Sequence, residues 1–194
     1  ANPSLPVKNV KELIAYAKER PKQLNYGSGG VGNSGHLAAE LFSSMAGIEF
    51  MHIPYKGSGL AMTDLLSGQI HLLFNSMIQG LPYAKNRKLT ALAITTAQRS
   101  AVLPDLPTIA ESGVPGYDFS SWYGLMVPAG TARHIINRLH AEVVRALSQP
   151  DFRQRLSNDG GEPIGSTPEQ FAAFLAAEMS KWEKVARSSG LRIE

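Results

Sequence analysis

The sequence contains no cysteine among its 194 residues. This absence excludes disulfide bonds, thiolate metal sites and cysteine nucleophiles together, and it fits a secreted or periplasmic protein. Long apolar runs are also missing, since none approaches the roughly 20 residues that a membrane-spanning helix needs. With 43% hydrophobic and 18% charged residues, the composition indicates a folded globular protein of one domain or two small lobes.

The first residues, Ala1-Asn2-Pro3-Ser4, include neither an initiator methionine nor the charged and apolar segments of an export signal. We therefore expect a processed or truncated chain.

The net charge is +3, and residues 1–100 carry ten Lys and Arg against five Asp and Glu. This positive half favours a small acidic ligand, whereas basic residues without interleaved aromatic residues argue against nucleic acid as a partner.

Apolar periodicity predicts strands that alternate with helices through the first hundred residues. Asn9 and Glu12 have the spacing of a capping box at the first helix. Such alternation with short connections predicts an α/β fold, with a parallel or mixed sheet covered by helices. The predicted helices span residues 10–20, 34–46, 59–66 and 78–85, and the predicted strands span residues 24–26, 50–54, 71–74 and 89–95.

Prolines and glycines between residues 104 and 124 indicate a hinge, and two long helices follow it. The first is predicted at residues 132–147, with a buried stripe that includes Ile135, Leu139 and Val143. The second begins at Thr167-Pro168-Glu169-Gln170, which has the order of a capping box. Only two short strands, at residues 122–127 and 163–164, are predicted nearby. We therefore expect part of the sheet that these helices cover to lie outside this sequence.

A glycine-rich turn joins the strand at Leu24 to the helix at Ser34. Such a turn presents backbone N–H groups at the positive end of a helix, where an anion can bind. Gly27, Gly29 and Gly32 also have the spacing of a dinucleotide-binding fingerprint, but no acidic residue follows the next strand. A phosphate-binding loop is excluded because no Lys-Ser/Thr pair follows the glycines. A carboxylate-type anion site, a purely structural turn and a dinucleotide site remain open at this point.

Two further strand ends carry polar residues. Tyr55-Lys56-Gly57-Ser58-Gly59 is a second strand-to-helix turn with a cation, and Asn75-Ser76 follows the next strand. Ligands of open α/β sheets bind at the carboxyl ends of adjacent strands, so these turns are expected to form one site.

His36 and Glu40 lack a third metal ligand, and no G-x-S-x-G motif is present. We therefore predict no metal site, no cofactor and no catalytic residue.

Several ordered motifs resemble the Bug-type periplasmic solute-binding proteins, the TctC-like receptors of tripartite tricarboxylate transporters. The resemblance covers essentially the whole sequence. It implies two α/β lobes with three-layer architecture around a cleft, a small carboxylate ligand, no enzymatic activity, a periplasmic location, and delivery of the ligand to membrane subunits of the transporter. The motifs are Asn2-Pro3-Ser4-Leu5-Pro6-Val7-Lys8, the glycine-rich turn through Phe42, Pro54-Tyr55-Lys56-Gly57, residues 103–108 and residues 127–131.

The resemblance also divides the chain, implying lobe two at residues 1–120 and a hinge return with the C-terminal part of lobe one at residues 121–194. The family's N-terminal segment of lobe one has no counterpart here, so lobe one is expected to be incomplete. Asn75 stands where the family often has Asp, which favours plain carboxylates, aromatic acids or neutral ligands over ammonium-bearing ones. The expected ligand-binding residues are Ser28, Gly29, Asn33, Ser34, Lys56, Gly57 and Asn75.

Two alternatives from other functional classes remain at this stage. The glycine spacing allows a dinucleotide-binding enzyme on a Rossmann-like unit. The effector-sensing domain of a transcription regulator can share a two-lobed architecture, although no DNA-binding helix-turn-helix is found in these 194 residues. Binding of a nicotinamide or flavin nucleotide would favour the first alternative, and a cytoplasmic location of the intact precursor would favour the second.

Overall fold

The computed structural model describes residues 1–158 and 160–189, with side chains described through residue 183 apart from residue 159. The described chain divides into two compact units, Ala1–Ser121 and the residues from Trp122 onward. No helix in the described part is long and apolar enough to cross a membrane. The elements are α1 (Val10–Glu19), β1 (Asn25–Ser28), α2 (Ser34–Ala46), β2 (Met51–Pro54), α3 (Ser58–Ser67), β3 (Leu72–Leu73), α4 (Met77–Lys85), α5 (Arg133–Ser148), α6 (Pro150–Asn158) and α7 (Pro168–Ser189).

The first unit contains a three-stranded parallel sheet with the order β2-β1-β3. Tyr26 of β1 lies opposite His52 of β2 and Leu72 of β3. Because the strands are parallel, α2 and α3 serve as the crossover connections that return the chain to the starting edge. The predicted α/β class is confirmed, and all three strands present their carboxyl ends at one edge of the sheet.

Helix α1 shows how the local sequence specifies this unit. The Asn9 side chain accepts a hydrogen bond from the Glu12 N–H at 2.9 Å, and the Glu12 carboxylate accepts one from the Lys8 N–H at 2.8 Å. This is the predicted capping box, which satisfies N–H groups that have no partner within the helix. Val10 and Leu13 are buried on one face, and each such side chain contributes about 1.5 to 3 kcal/mol through burial.

The predicted strand at residues 89–95 is not part of the sheet. Ile94 alone forms an isolated parallel bridge, with Thr108. Within the described chain, no backbone hydrogen bond joins residues 91–93 to a neighbouring segment. The apolar sequence supplies the propensity for a strand, but a strand also needs a continuously paired neighbour, and residues 91–93 have none within the described chain. The predicted strands at residues 122–127 and 163–164 are likewise not formed.

Both predicted long helices are present in the second unit, but the predicted burial of the apolar stripe of the first is wrong. Helix α5 has no buried residue, and Ile135 is 44% exposed. No strand lies within the described part of this unit, so α5 has no sheet face to cover. Helix α7 has the predicted capping box, in which Gln170 N–H donates to the Thr167 hydroxyl and Thr167 N–H to the Gln170 side chain. The ring of Trp122 packs edge-on against Phe171 and Phe174.

Candidate functional site

The candidate site lies at the edge of the sheet where the three strands end and helices α2, α3 and α4 begin. The turns after β1 and β2 are held together by backbone hydrogen bonds. Tyr55 N–H donates to the Ser28 carbonyl at 3.0 Å, and Gly57 N–H donates to the Gly29 carbonyl at 3.2 Å. The two turns that the sequence singled out therefore form one continuous surface.

Two glycines allow the starts of α2 and α3 to lie close to the neighbouring strand end and turn. A Cβ on Gly35 would lie 2.5 Å from the Phe74 carbonyl oxygen at the end of β3. A Cβ on Gly29 would lie 2.6 Å from the Asn33 amide nitrogen and 3.1 Å from the Ser58 backbone nitrogen. Glycine is required at both positions, because a side chain at Gly35 would push the start of α2 away from the end of β3, and one at Gly29 would crowd the Asn33 side chain and the start of α3. Gly29 and Gly35 thus allow close packing at the starts of α2 and α3.

The three helix N-termini differ in how they are capped. In α2 the Asn33 side chain accepts a hydrogen bond from the His36 N–H at 3.1 Å. The N-caps of α3 and α4 are Gly57 and Ser76, and neither makes a side-chain capping bond. The first N–H groups of α3 and α4 are therefore without a side-chain acceptor at the positive ends of their helix dipoles. Such uncapped ends favour an anion.

Four of the seven predicted ligand-binding residues fall into two groups. Ser28 and Asn33 are committed to the protein, because the Ser28 side chain contacts Gly30 and His52 and the Asn33 side chain caps α2. Ser34 and Lys56 are exposed, and Lys56 forms no ion pair within the described chain. Their positions at helix starts leave both side chains accessible to a ligand.

Asn75 carries a buried donor without an acceptor. Its side-chain oxygen accepts a hydrogen bond from the Ser76 N–H at 2.9 Å. Its Nδ2 atom is buried and has no hydrogen-bond partner among the described residues. A buried polar group without a partner costs about 1 to 3 kcal/mol. Asn75 therefore holds a donor that a ligand oxygen at this edge of the sheet could satisfy.

A pair of histidines lies beneath the glycine-rich turn. The rings of His36 and His52 stack with their centroids 3.9 Å apart. His52 Nε2 lies 2.6 Å from the Ser28 hydroxyl, which accepts a hydrogen bond from the Gly30 N–H at 3.1 Å. His36 Nδ1 accepts a hydrogen bond from the Gly32 N–H at 2.9 Å. The two imidazoles thus hold the turn from below through Gly30 and Gly32.

The pKa values of this histidine pair are lowered. Burial lowers the pKa of His52 from 6.5 to about 4, and the adjacent His36 lowers it as well. Burial also lowers the pKa of His36, although Glu40 opposes this change. Both rings are therefore neutral at pH 7. A neutral His36 matches the geometry, because only an unprotonated Nδ1 can accept the Gly32 N–H.

The sequence did not identify these histidines as part of the site. The sequence draws attention to His36 only as half of an incomplete metal site with Glu40, and nothing in it singles out His52. The missing information was the register, which places His52 opposite Tyr26. Since side chains alternate along a strand, Tyr26 and Ser28 share one face, and His52 joins them there. Ser28 is 1% exposed, so its contact with His52 supports the turn and offers no accessible nucleophile.

Comparisons with known proteins agree with the resemblance that the sequence motifs indicate. The family model described as TctC, the tripartite tricarboxylate transporter family receptor, matches residues 1–191. Protein BugT of Bordetella pertussis is 35% identical over 193 residues, which are 100% of this chain and 59% of that protein. The chain spans 59% of the length of BugT and between 62% and 66% of the length of the three solved structures described below.

Solved structures share the fold as well. A structure titled "R. palustris Rpa4515 with adipate" has a TM-score of 0.92 and 40% identity, covering 98% of this chain and 64% of that one. The periplasmic binding protein BugD has a TM-score of 0.91 and 29% identity, with 100% and 66% coverage. MatC from Rhodopseudomonas palustris with bound malate has a TM-score of 0.82 and 31% identity, with 93% and 62% coverage. The predicted periplasmic-binding-protein type of α/β fold is confirmed.

Proposed function

Since the chain belongs to the tripartite tricarboxylate transporter receptor family, we propose that it forms part of a solute-binding receptor and not of an enzyme. Its ligand is a small carboxylate, such as a di- or tricarboxylate or an aromatic acid. Two structures similar to this chain have titles that name adipate and malate. The family match favours a receptor over the dinucleotide-binding enzyme and the regulator domain that the glycine spacing and the two-lobed architecture left open.

The observation that carries this proposal is the pair of uncapped helix ends beside an unpaired donor. The starts of α3 and α4 have no side-chain cap, and the buried Asn75 Nδ2 has no acceptor. A carboxylate supplies acceptor oxygens and negative charge, which suit both features. Hydrogen bonds to a charged group contribute about 1.5 to 3 kcal/mol each. The ligand therefore satisfies groups that the protein leaves without partners.

The predicted residues take distinct roles in this site. Backbone N–H groups near Gly57 and Ser34 donate to the carboxylate, and Lys56 adds positive charge at the exposed rim. Asn75 donates to the distal end of the ligand. Ser28, Gly29 and Asn33 form the wall that the glycine-rich turn presents, with Ser28 contributing through the shape of the turn. The Gly29 and Gly57 contact keeps that wall joined to the start of α3.

We further propose that residues 1–120 form lobe two of the receptor and that residues 121–194 form the hinge return and the C-terminal part of lobe one. The receptor works in the periplasm and delivers its ligand to the membrane subunits of the transporter. The family match supports this location and this partner class. Closure of the lobes removes water from the carboxylate, which strengthens its hydrogen bonds.

Calorimetry on the full-length receptor tests the proposal. We expect heat of binding with at least one of adipate, malate and benzoate, and none with the uncharged diamide of adipate. Lys56→Gln should weaken carboxylate binding, whereas Lys88→Gln, at an exposed position beyond the end of α4, should leave it unchanged. Absence of heat with every carboxylate, or equal weakening by both substitutions, would refute the proposed site.

A further inference from the structure

The backbone N–H groups of the glycine-rich turn fall into two sets. Those of Gly30 and Gly32 donate to buried side chains beneath the turn, at 3.1 and 2.9 Å. Those of Gly29 and Val31 have no hydrogen-bond partner within the described chain. The first set fixes the backbone on which the second set is carried, so the shape of the turn depends on the buried acceptors.

His36 is one of these acceptors, and it accepts only while one ring nitrogen carries no proton. Its Nδ1 atom accepts the Gly32 N–H at 2.9 Å, and a protonated ring nitrogen is a donor. A proton on Nδ1 would therefore set two donors against each other. His36 is 4% exposed, so water has little access to replace the lost acceptor. Protonation of His36 is incompatible with the present shape of the turn.

The groups around His36 act on its charge in opposite directions. Burial lowers the pKa of His36, whereas Glu40 of α2, whose Oε1 lies 3.9 Å from His36 Nε2, raises it. The stacked ring of His52 on β2 disfavours a second charge beside it. Tyr26 of β1 donates its hydroxyl to the same Glu40 oxygen at 2.7 Å. Tyr117 also packs on α2, and its hydroxyl donates to a backbone carbonyl of that helix.

His52 differs from His36 in what a proton does to its hydrogen bonds. Its Nε2 atom lies 2.6 Å from the Ser28 hydroxyl, and that hydroxyl lies 3.0 Å from the Gly30 carbonyl, to which it can donate. A charged His52 can therefore donate to Ser28 while Ser28 donates to Gly30. This chain of bonds is possible in both protonation states of His52. The acceptor that a proton removes is the one on His36.

We propose that His36 is a positioning residue of the carboxylate site and that the ligand binds only while Nδ1 of this ring is unprotonated. The inference rests on the proposed function, because the ligand is the carboxylate described there. When His36 takes up a proton, the Gly32 N–H loses its acceptor and the turn before α2 changes shape. Binding of the carboxylate thus excludes one proton from the receptor, and acid promotes release of the ligand.

Attraction between a charged His36 and the carboxylate acts in the opposite direction. Glu40 reduces this attraction, because its carboxylate lies 3.9 Å from His36 Nε2 and balances the charge of the ring. The hydrogen bond to Gly32 has no such compensation. Loss of the turn geometry therefore outweighs the attraction, and the sign of the pH dependence distinguishes the two effects.

Calorimetry on the full-length receptor between pH 7 and pH 4.5 tests the proposal. The probe is whichever of adipate, malate and benzoate binds at pH 7, and circular dichroism checks that the receptor is folded at each pH. In His36→Asn the amide oxygen replaces Nδ1 as an acceptor and does not titrate.

We expect the wild-type dissociation constant to rise between pH 7 and pH 4.5 by a factor about threefold or more larger than that of His36→Asn. The reason is that each pH unit below the pKa of the ligand-free receptor costs up to about tenfold in affinity. Protonation of the probe contributes equally to both proteins. His134→Asn, at an exposed position of α5, should retain the wild-type factor.

Glu40→Gln gives a second readout that leaves the buried ring in place. Glutamine keeps an oxygen that accepts the Tyr26 hydroxyl, but it removes the charge that favours a proton on His36. The loss of affinity in acid should therefore begin at a pH lower by about half a unit or more. A substitution that merely loosened the structure would weaken binding at every pH and would not move this midpoint. If His36→Asn does not fold, the shift in Glu40→Gln decides.

Three results would overturn the proposal. An identical pH profile for the wild type, His36→Asn and Glu40→Gln would remove the role of His36 and leave the carboxylate receptor intact. A smaller loss of affinity in acid for the wild type than for His36→Asn would show that the charge of His36 attracts the ligand. Absence of binding with all three acids at pH 7 would refute the proposed function, and this inference with it.

Discussion

Replacement of Gly35 by alanine tests the close packing on which the candidate site depends. The start of α2 lies against the end of β3, and an added Cβ would be 2.5 Å from the Phe74 carbonyl oxygen. Real Cβ atoms essentially never approach closer than 3.0 Å. The contacting atom belongs to the backbone, so the clash cannot be relieved by rotating a side chain. Gly35→Ala must therefore displace the start of α2 or the end of β3.

The size of the effect follows from two opposing terms. Added atoms in a well-packed region cost about 1 to 3 kcal/mol. Alanine favours a helix over glycine by up to about 1 kcal/mol, and this gain is smaller in the first turn of α2. We therefore expect Gly35→Ala to lower the free energy of unfolding by about 1 to 2 kcal/mol. Carboxylate affinity should fall as well, because the three helix starts would no longer keep their spacing.

Urea unfolding at pH 7 measures the change, with Gly80→Ala as the matched control. Gly80 lies within α4, and a Cβ there would have no atom within 4 Å beyond the adjacent residues and the backbone of its own helix. The helix preference of alanine then acts alone, so Gly80→Ala should raise the free energy of unfolding by about 0.5 to 1 kcal/mol. A Gly35→Ala variant as stable as Gly80→Ala would refute the reasoning, since the backbone contact would then carry no constraint.

Three further predictions concern titration, specificity and capping. The pKa of His52 is about 4 in the folded chain, compared with an ordinary value of 6.5. As the pH is lowered, the unfolded chain therefore binds the proton before the folded chain does. The free energy of unfolding falls as the pH drops from 6.5 to about 4. His52→Gln should flatten this part of the profile of urea midpoint against pH, and an unchanged slope would contradict the assignment. Asn75→Asp should weaken carboxylate binding about tenfold or more, because it removes the unpaired donor and adds a negative charge; calorimetry showing equal affinity would refute this role. Asn9→Ala should cost about 1 kcal/mol in urea unfolding, and a loss near zero would show that the cap of α1 is dispensable.

The sequence predicted the elements whose signals are local. The cap at Asn9, the helix at Ser34–Ala46 and the cap at Thr167 are all found in the structure. The prediction of a strand at residues 89–95 was wrong, because strand formation depends on a neighbouring strand and not on local propensity alone. The apolar stripe of α5 is exposed for a similar reason. An amphipathic pattern shows which face of a helix is apolar, but it does not show whether another element covers that face.

The site was predictable in outline but not in its internal contacts. Parallel strands bring their carboxyl ends to one edge, so the convergence of the turns near Gly29 and Gly57 followed from the fold class. The support of the glycine-rich turn by His36 and His52 depends on strand register and ring stacking, which spacing alone does not give. The unpaired donor of Asn75 also becomes visible only when its surroundings are known. The direct ligand contacts of Ser28, Gly29, Asn33, Ser34, Lys56, Gly57 and Asn75 stay predictions.

The central claim is that uncapped starts of α3 and α4 bind a carboxylate. Titration of the isotopically labelled full-length receptor, followed by backbone amide NMR, tests it directly. The titrant is the carboxylate that binds most tightly in calorimetry. We predict saturable shifts of the amide protons of Ser58, Gly59 and Met77 with the calorimetric dissociation constant. Saturable binding that leaves these three amides unmoved, while amides elsewhere shift, would contradict the claim.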